Sequence, residues 1–162
     1  MLRYFACFMI LLMILSLYPV SSIELTGPVA IISNSIDMPT AEKLKSSLTA
    51  MGFEVEIFPP ERLADALKYC QFLIVLGGHK AAGVSELVAP LFSGEEKANL
   101  ERKGYAYYFI KRAWGKYIVI IAGNDRFGTY RAANTFIIKG MSELKSYMGS
   151  PGVALVLVPM GG

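Results

Sequence analysis

Short apolar runs alternate along this chain with stretches whose apolar residues recur every three or four positions, and that rhythm lays out most of its elements. Pro28 to Ser33, rich in Val and Ile, predicts a first strand. Ala41, Leu44, Leu48 and Met51 share one helical face. Asp37-Met38-Pro39-Thr40 supplies a start for that helix and Gly52 a stop. Glu54-Val55-Glu56-Ile57-Phe58 alternates polar with apolar, so it predicts a half-buried strand that Pro59-Pro60 ends. Glu61 to Tyr69 reads as a short helix. Phe72-Leu73-Ile74-Val75-Leu76 has no polar position, as expected of a strand covered on both faces.

The second half continues the pattern. Ser85 to Phe92 predicts a helix, and Ser93-Gly94-Glu95-Glu96 has capping-box spacing for another, to about Arg102. Ala106 to Ala113 and Tyr117 to Ala122 read as strands joined through Trp114-Gly115-Lys116, a hairpin connection. Thr129 to about Tyr147 is a helix with Gly140 as a weak point. Ser150-Pro151-Gly152 is a turn, and Val153 to Val158 a last strand. Strands separated by helices pair in parallel through right-handed crossovers, whereas a hairpin must be antiparallel. The expected fold is therefore α/β and three-layered. Its sheet is mixed, mostly parallel and of five to six strands, with one β-hairpin and an N-terminal apolar helix ahead of it.

That leading segment changes the picture. Arg3 is followed by an apolar run to Tyr18 with no charge in it, then Pro19, Val20, Ser21 and Ser22. A positive start, an apolar stretch and small residues before a cut are the layout of a secretory signal. The run also approaches the roughly 20 residues of a spanning helix, so a retained membrane anchor stays open. Residues 1–22 are thus expected to be a signal peptide or anchor, and residues 23–162 a single α/β domain. Arg3 favours the N-terminus inside and the domain on the extracytoplasmic side. No Asn-x-Ser/Thr sequon occurs.

Composition narrows the partners. The 162 residues carry a net charge of +3, and about +2 without Arg3, with Lys and Arg dispersed rather than clustered. No nucleic-acid partner is expected on that basis. Cys7 lies in the leader, so Cys70 would have no disulfide partner within a processed chain; a small buried residue beside an apolar strand is expected.

Candidate chemistry lies in two loops that follow apolar strands, where α/β folds bind ligands. The first is Gly77-Gly78-His79-Lys80-Ala81-Ala82-Gly83. Bare glycines let an anion approach backbone N–H groups, yet this is neither G-x-G-x-x-G nor a P-loop, and a tight turn with positive φ explains the glycines as well. His79 is the sole histidine, and no carboxylate or cysteine stands at metal-ligand spacing from it. The second loop is Gly123-Asn124-Asp125-Arg126-Phe127-Gly128-Thr129. Asp125 and Arg126 suit a hydroxyl-rich or charged ligand; alternatively Asn124 or Asp125 caps the next helix and Arg126 pairs with a carboxylate. Gly77, Gly78, His79, Asn124, Asp125, Arg126 and Thr129 are the candidate ligand contacts, with no metal, cofactor or catalytic residue implied. Tyr105, Tyr107 and Phe109 fall on one face of a strand, and Tyr108 and Ile110 on the other. They suit sheet packing, or stacking on a sugar or protein partner.

Gly77-Gly78, Tyr105-Ala106-Tyr107-Tyr108-Phe109-Ile110, Ile118-Val119-Ile120-Ile121-Ala122-Gly123, Asn124-Asp125 and Gly128-Thr129-Tyr130 before Ala132-Ala133 follow one another between Phe72 and about Ile138. This series resembles the small non-catalytic α/β domain that precedes the barrel in β-hexosaminidase-like and α-glucuronidase-like glycosidases. It is also similar to α/β segments of archaeal surface-layer proteins. The chain has Tyr130-Arg131 where the glycosidase domains tend to have Tyr-Gly. The resemblance implies a fold and an extracytoplasmic setting. It carries over no catalytic residue, because the matching domain is not the catalytic one.

Three functions follow as expectations. The first is a non-enzymatic cell-surface or extracytoplasmic interaction module, surface-layer-related, with a protein or glycan partner and a membrane contact through an uncleaved leader. The second is a small carbohydrate- or metabolite-binding protein that uses the 77–83 and 123–129 loops. The third is a hydrolase around His79 and Asp125, for which no G-x-S-x-G elbow presents a nucleophile.

Overall fold

A computed structural model describes residues 27–149. The leader and the strand expected at Val153 to Val158 lie outside the described residues. Five strands form one sheet: β1 (Val29–Ile32), β2 (Val55–Phe58), β3 (Phe72–Leu76), β4 (Ala106–Ala113) and β5 (Lys116–Gly123). Their spatial order is β2-β1-β3-β5-β4. All neighbours run parallel except β4, which pairs antiparallel with β5. β3 is the central strand and every one of its residues is buried, which accounts for its uninterrupted apolar run.

The helices are α1 (Met38–Ala50), α2 (Leu63–Tyr69), α3 (Ser85–Val88), α4 (Gly94–Leu100), α5 (Arg126–Thr135) and α6 (Met141–Gly149). They cover both faces of the sheet. Alternate residues of each strand point to opposite sides, so Val29, Ile31, Phe72 and Ile74 meet α1, α5 and α6 through Leu44, Leu48, Ala132 and Leu144. Ala30, Ile32, Leu73 and Val75 meet α2, α3 and α4 through Ala66, Val88 and Leu100. This is the three-layer α/β architecture the pattern predicts. Cys70 is buried in the second layer, and burial pushes its thiol pKa up, as expected of a packing residue.

Local chemistry sets the boundaries. Gly52 takes φ +92 just past α1, a conformation an L side chain resists. Pro90 turns the end of the predicted 85–92 helix into a 3-10 turn over Ala89–Leu91. At α4 the capping box is complete: the Ser93 hydroxyl accepts from Glu96 N–H at 3.2 Å, and Ser93 N–H donates to Glu96 Oε2 at 2.7 Å. Burial acts to raise the Glu96 pKa, but the Lys111 ammonium at 2.6 Å outweighs it and holds the carboxyl below its usual range.

Two boundaries differ from the sequence expectation. The predicted Thr129–Tyr147 helix begins earlier, at Arg126, because Asp125 caps it. Its middle widens into a π turn over Phe136–Gly140, at the expected weak point. A Cβ on Gly140 would lie 2.3 Å from Phe136 Cδ2, so the fully buried Phe136 ring needs a glycine there.

The hairpin loop is two residues rather than three, since Lys116 already pairs with Ala113. Trp114 and Gly115 both have positive φ, 51° and 72°, the requirement of a type I′ turn. Trp114 is 44% exposed, so little packing compensates its left-handed backbone. Trp114→Asn should therefore stabilise the fold by about 1 kcal/mol. Urea denaturation followed by circular dichroism checks this, and an unchanged or lower midpoint would count against it.

Candidate functional site

The connections after β1, β3 and β5 leave the sheet in opposite directions. Those after β1 and β5 lead to the layer of α1 and α5, and the one after β3 leads to the layer of α3 and α4. Neighbouring strands whose chains part in this way leave a crevice beyond their C-terminal ends. Here the crevice has a volume of about 590 Å³. Its walls are the 34–37, 77–82 and 123–126 segments, with Leu100, Glu101 and Thr129 completing it. The two sequence-predicted loops thus meet in one cleft. The third loop, after β1, was not among the candidates.

Asn34 ties two of these walls together. Its Oδ1 accepts from Asp37 N–H at 2.9 Å, and its Nδ2 donates to the Ala82 carbonyl at 3.0 Å. Gly77 N–H donates to the Ile121 carbonyl at 2.9 Å, and the φ of +114 at Gly77 turns the chain out of β3. The tight-turn explanation therefore holds for Gly77. Gly78 has no such φ, and a Cβ there would make ordinary contacts with Ala122 and Leu100 at 3.5 and 3.6 Å.

Most of the predicted polar contacts are committed to structure. Asn124 Oδ1 accepts from Gly104 N–H at 3.3 Å. Asp125 Oδ1 accepts from Gly128 N–H at 2.7 Å and caps α5. Thr129 is buried, and its hydroxyl donates to the Asp125 carbonyl at 3.3 Å. The cap follows from a contact between two glycines: a Cβ on Gly123 would lie 2.4 Å from the Gly128 carbonyl carbon. On the opposite wall one carboxylate holds two partners. Glu101 Oε1 lies 2.8 Å from Lys80 Nζ and 3.2 Å from His79 Nε2. The Lys80 contact first, and then His79, keeps the Glu101 carboxyl below its usual range. His79 also packs edge-on against Phe92. Its hydrogen-bond partner is Glu101, not Asp125, so the pairing a hydrolase would need is not assembled.

Two charged groups remain uncommitted. Arg126 stands in the first turn of α5, with its guanidinium 4.9 Å from the centre of the Phe127 ring. Among the described residues it makes no ion pair with a carboxylate. Asp37 is 95% buried, its Oδ1 has no hydrogen-bond partner, and burial raises its pKa. Although it stands at the N-terminus of α1, its side chain does not cap that helix. A sequence reading takes Asp-x-Pro for a helix start, and only the tertiary fold places Asp37 in the cleft wall. Its position in the segment after β1 was the available signal.

A second cavity of about 480 Å³ runs beside β4, lined by Tyr105, Tyr107 and Tyr108 with Phe92, Glu143 and Tyr147 among others. Tyr105 and Tyr107 stack at 6.0 Å, while Phe109 is buried against Phe92. Burial, followed by a hydrogen bond to Glu143, raises the Tyr108 pKa. Among the described residues no three His, Cys, Asp or Glu side chains gather as a metal-ligand set, and no helix is long and apolar enough to cross a membrane. No known protein family matches the chain, and no curated protein matches it in sequence.

Burial penalises the charged form of Asp37, and an amide of the same shape carries no charge. Asp37→Asn should therefore leave the fold intact and raise its stability at neutral pH by about 1 kcal/mol, the worth of a modest difference between charged and neutral forms. The pH dependence carries the same signature. A carboxyl whose folded pKa is raised favours the folded state at low pH, and that advantage is lost as pH rises through the folded pKa. Denaturation midpoints across the acid range should fall less with rising pH in Asp37→Asn than in the parent; parallel profiles would refute the assignment. Gly123→Ala should cost about 3 kcal/mol through overpacking against Gly128, read from the same denaturation curves.

Proposed function

We propose that this chain is an extracytoplasmic α/β module that binds a small polar ligand in the cleft at the C-terminal ends of β1, β3 and β5, without catalysing a reaction on it. The observation that carries this reading is the cleft itself, in whose wall Asp37, a buried carboxyl with no hydrogen bond to its Oδ1, stands beside the 77–82 and 123–126 segments. A buried group of this kind costs stability, and such groups cluster at functional sites. The convergence of three loops from strands that part to opposite faces gives the geometric setting.

The extracytoplasmic part of the proposal rests on the charge-free run between Arg3 and Tyr18. Residues 1–22 would be removed as a signal or would tether the domain as an anchor. The resemblance to surface-layer and glycosidase-associated domains agrees with that setting. A second reading, an interaction module for a protein or glycan, is favoured by the half-buried tyrosines that line the cavity beside β4.

Thermal denaturation with a panel of amino acids, sugars and nucleotides tests the binding reading. A ligand at one hundred times its dissociation constant should stabilise by about 2.7 kcal/mol. No shift across the panel would count against it. Protease added to intact cells should degrade the domain; full protection alongside digested surface controls would argue against the placement.

A further inference from the structure

We infer that the end of the domain opposite the cleft docks on an anionic lipid surface, with Trp114 seated among the headgroups. The inference goes beyond the cleft reading and rests only on the anchored form of residues 1–22.

The parallel strands share one direction, so their N-terminal ends lie together, with Val29, Val55, Phe72 and Tyr117 in register. The chain enters the domain at this end. Gly27 N–H donates to Gln71 Oε1 at 3.1 Å, and Gln71 N–H donates to the Pro28 carbonyl at 2.7 Å, which pins the entry beside the start of β3. The apolar run of the leader stops at Tyr18, which leaves the eight residues 19–26 as a link. Eight residues span at most about 29 Å. A retained anchor therefore brings this end, rather than the cleft, nearest the bilayer.

The β4–β5 turn lies at the same end. Among the described residues Trp114 is the one non-glycine residue with positive φ, a conformation that a bulky side chain disfavours. Its ring is 44% exposed, so contacts within the domain recover little of that cost. Strained positions of this kind point to a role outside the fold's own packing. Tryptophan suits a bilayer interface, because its ring fits the acyl boundary while its N–H meets the headgroups. Met51, 49% exposed just past α1, adds a second apolar group at this end.

Charge favours an anionic surface. Arg112 and Lys116 flank the hairpin turn, and Lys68 stands in the last turn of α2. Lys145 lies near the end of α6, whose Tyr147 carbonyl accepts from the Tyr117 hydroxyl at 3.0 Å. Lys116 Nζ donates to the neutral Cys70 carbonyl at 2.6 Å, and the Arg112 guanidinium lies 5.5 Å from the centre of the Tyr117 ring. Among the described residues none of these four cations makes an ion pair with a carboxylate. Glu54 and Glu56 oppose them from the far margin, at β2. A bilayer is extended, so it meets contacts a sheet's width apart, from Met51 beside β2 to Trp114 beside β4. Docked this way, the domain holds the cleft away from the bilayer.

Trp114 is the only tryptophan of the chain, so its emission reports on this contact alone. The experiment reconstitutes the full chain into vesicles of phosphatidylcholine and phosphatidylglycerol, checks flotation with the vesicles, and compares ordinary with bromine-labelled acyl chains. The brominated chains should quench Trp114, and iodide in the water should quench it less than in the detergent-free denatured chain. Lys68→Gln with Arg112→Gln should keep flotation and lower the docked-to-undocked ratio read from the quenching about fivefold for each charge removed. High salt should act in the same direction. A chain that floats with Trp114 untouched by the brominated lipid would overturn the docking and leave the anchor standing. Quenching unchanged in the double variant would overturn the basic end as the lipid contact. A full chain that does not float would overturn the docking and the anchor together.

Discussion

Gly123 and Gly128 touch backbone to backbone, and the position of the whole cleft wall depends on that contact. A Cβ on Gly123 would overlap the Gly128 carbonyl carbon, and a Cβ on Gly128 would lie 3.0 Å from Gly123 Cα and 3.2 Å from the Tyr105 carbonyl. The absence of both side chains lets the first turn of α5 settle onto the ends of β4 and β5. Asp125 then reaches Gly128 N–H, and Asn124 bridges to the segment that enters β4 through Gly104 and Tyr105. Arg126 is carried to the cleft as a result. The site's positive group is therefore placed by packing of main chain against main chain.

Elements governed by local patterning were legible in the sequence. The buried run of β3, the Gly52 stop of α1, the Ser93–Glu96 box and the β4–β5 hairpin each depend on residues close together in the chain. The cleft was legible as two loops but not as a site. Strand order decides which loops become neighbours, and no local pattern encodes that β1 lies between β2 and β3. Polar residues in a loop also have two uses that look alike in sequence. Asn124, Asp125 and Thr129 close the turn and cap the helix, whereas Asp37, which looks like a cap, does not cap at all.

The two uses carry opposite energetic signs. Asp125 satisfies a helix N–H, so it adds to stability while it shapes the wall. Asp37 is buried with an unpartnered oxygen, so it subtracts from stability while it stands in the cleft wall. Glu101 stands between these cases: its contacts with Lys80 and His79 cross from the α4 end to the loop after β3 and neutralise that wall. The local cost at Asp37 is borne by a sheet buried on both faces, where the core residues of β1 and β3 are fully covered.

The tyrosines of β4 have a consequence at the opposite margin of the sheet. Among the described residues β4 is the outermost strand on its side and, at eight residues, twice the length of the four-residue β2 on the other edge. A long open edge is a template for pairing with strands of other molecules. Tyr107 and Tyr108 belong to opposite faces, yet their rings stack at 5.7 Å with only 14° between the planes. Rings from opposite faces meet in that way only by reaching around the outer margin of the strand. They thereby stand in the path of an incoming strand, and the half-buried Lys111–Glu96 ion pair adds charge nearby. The aromatic character of this edge works as a steric guard against pairing with further strands.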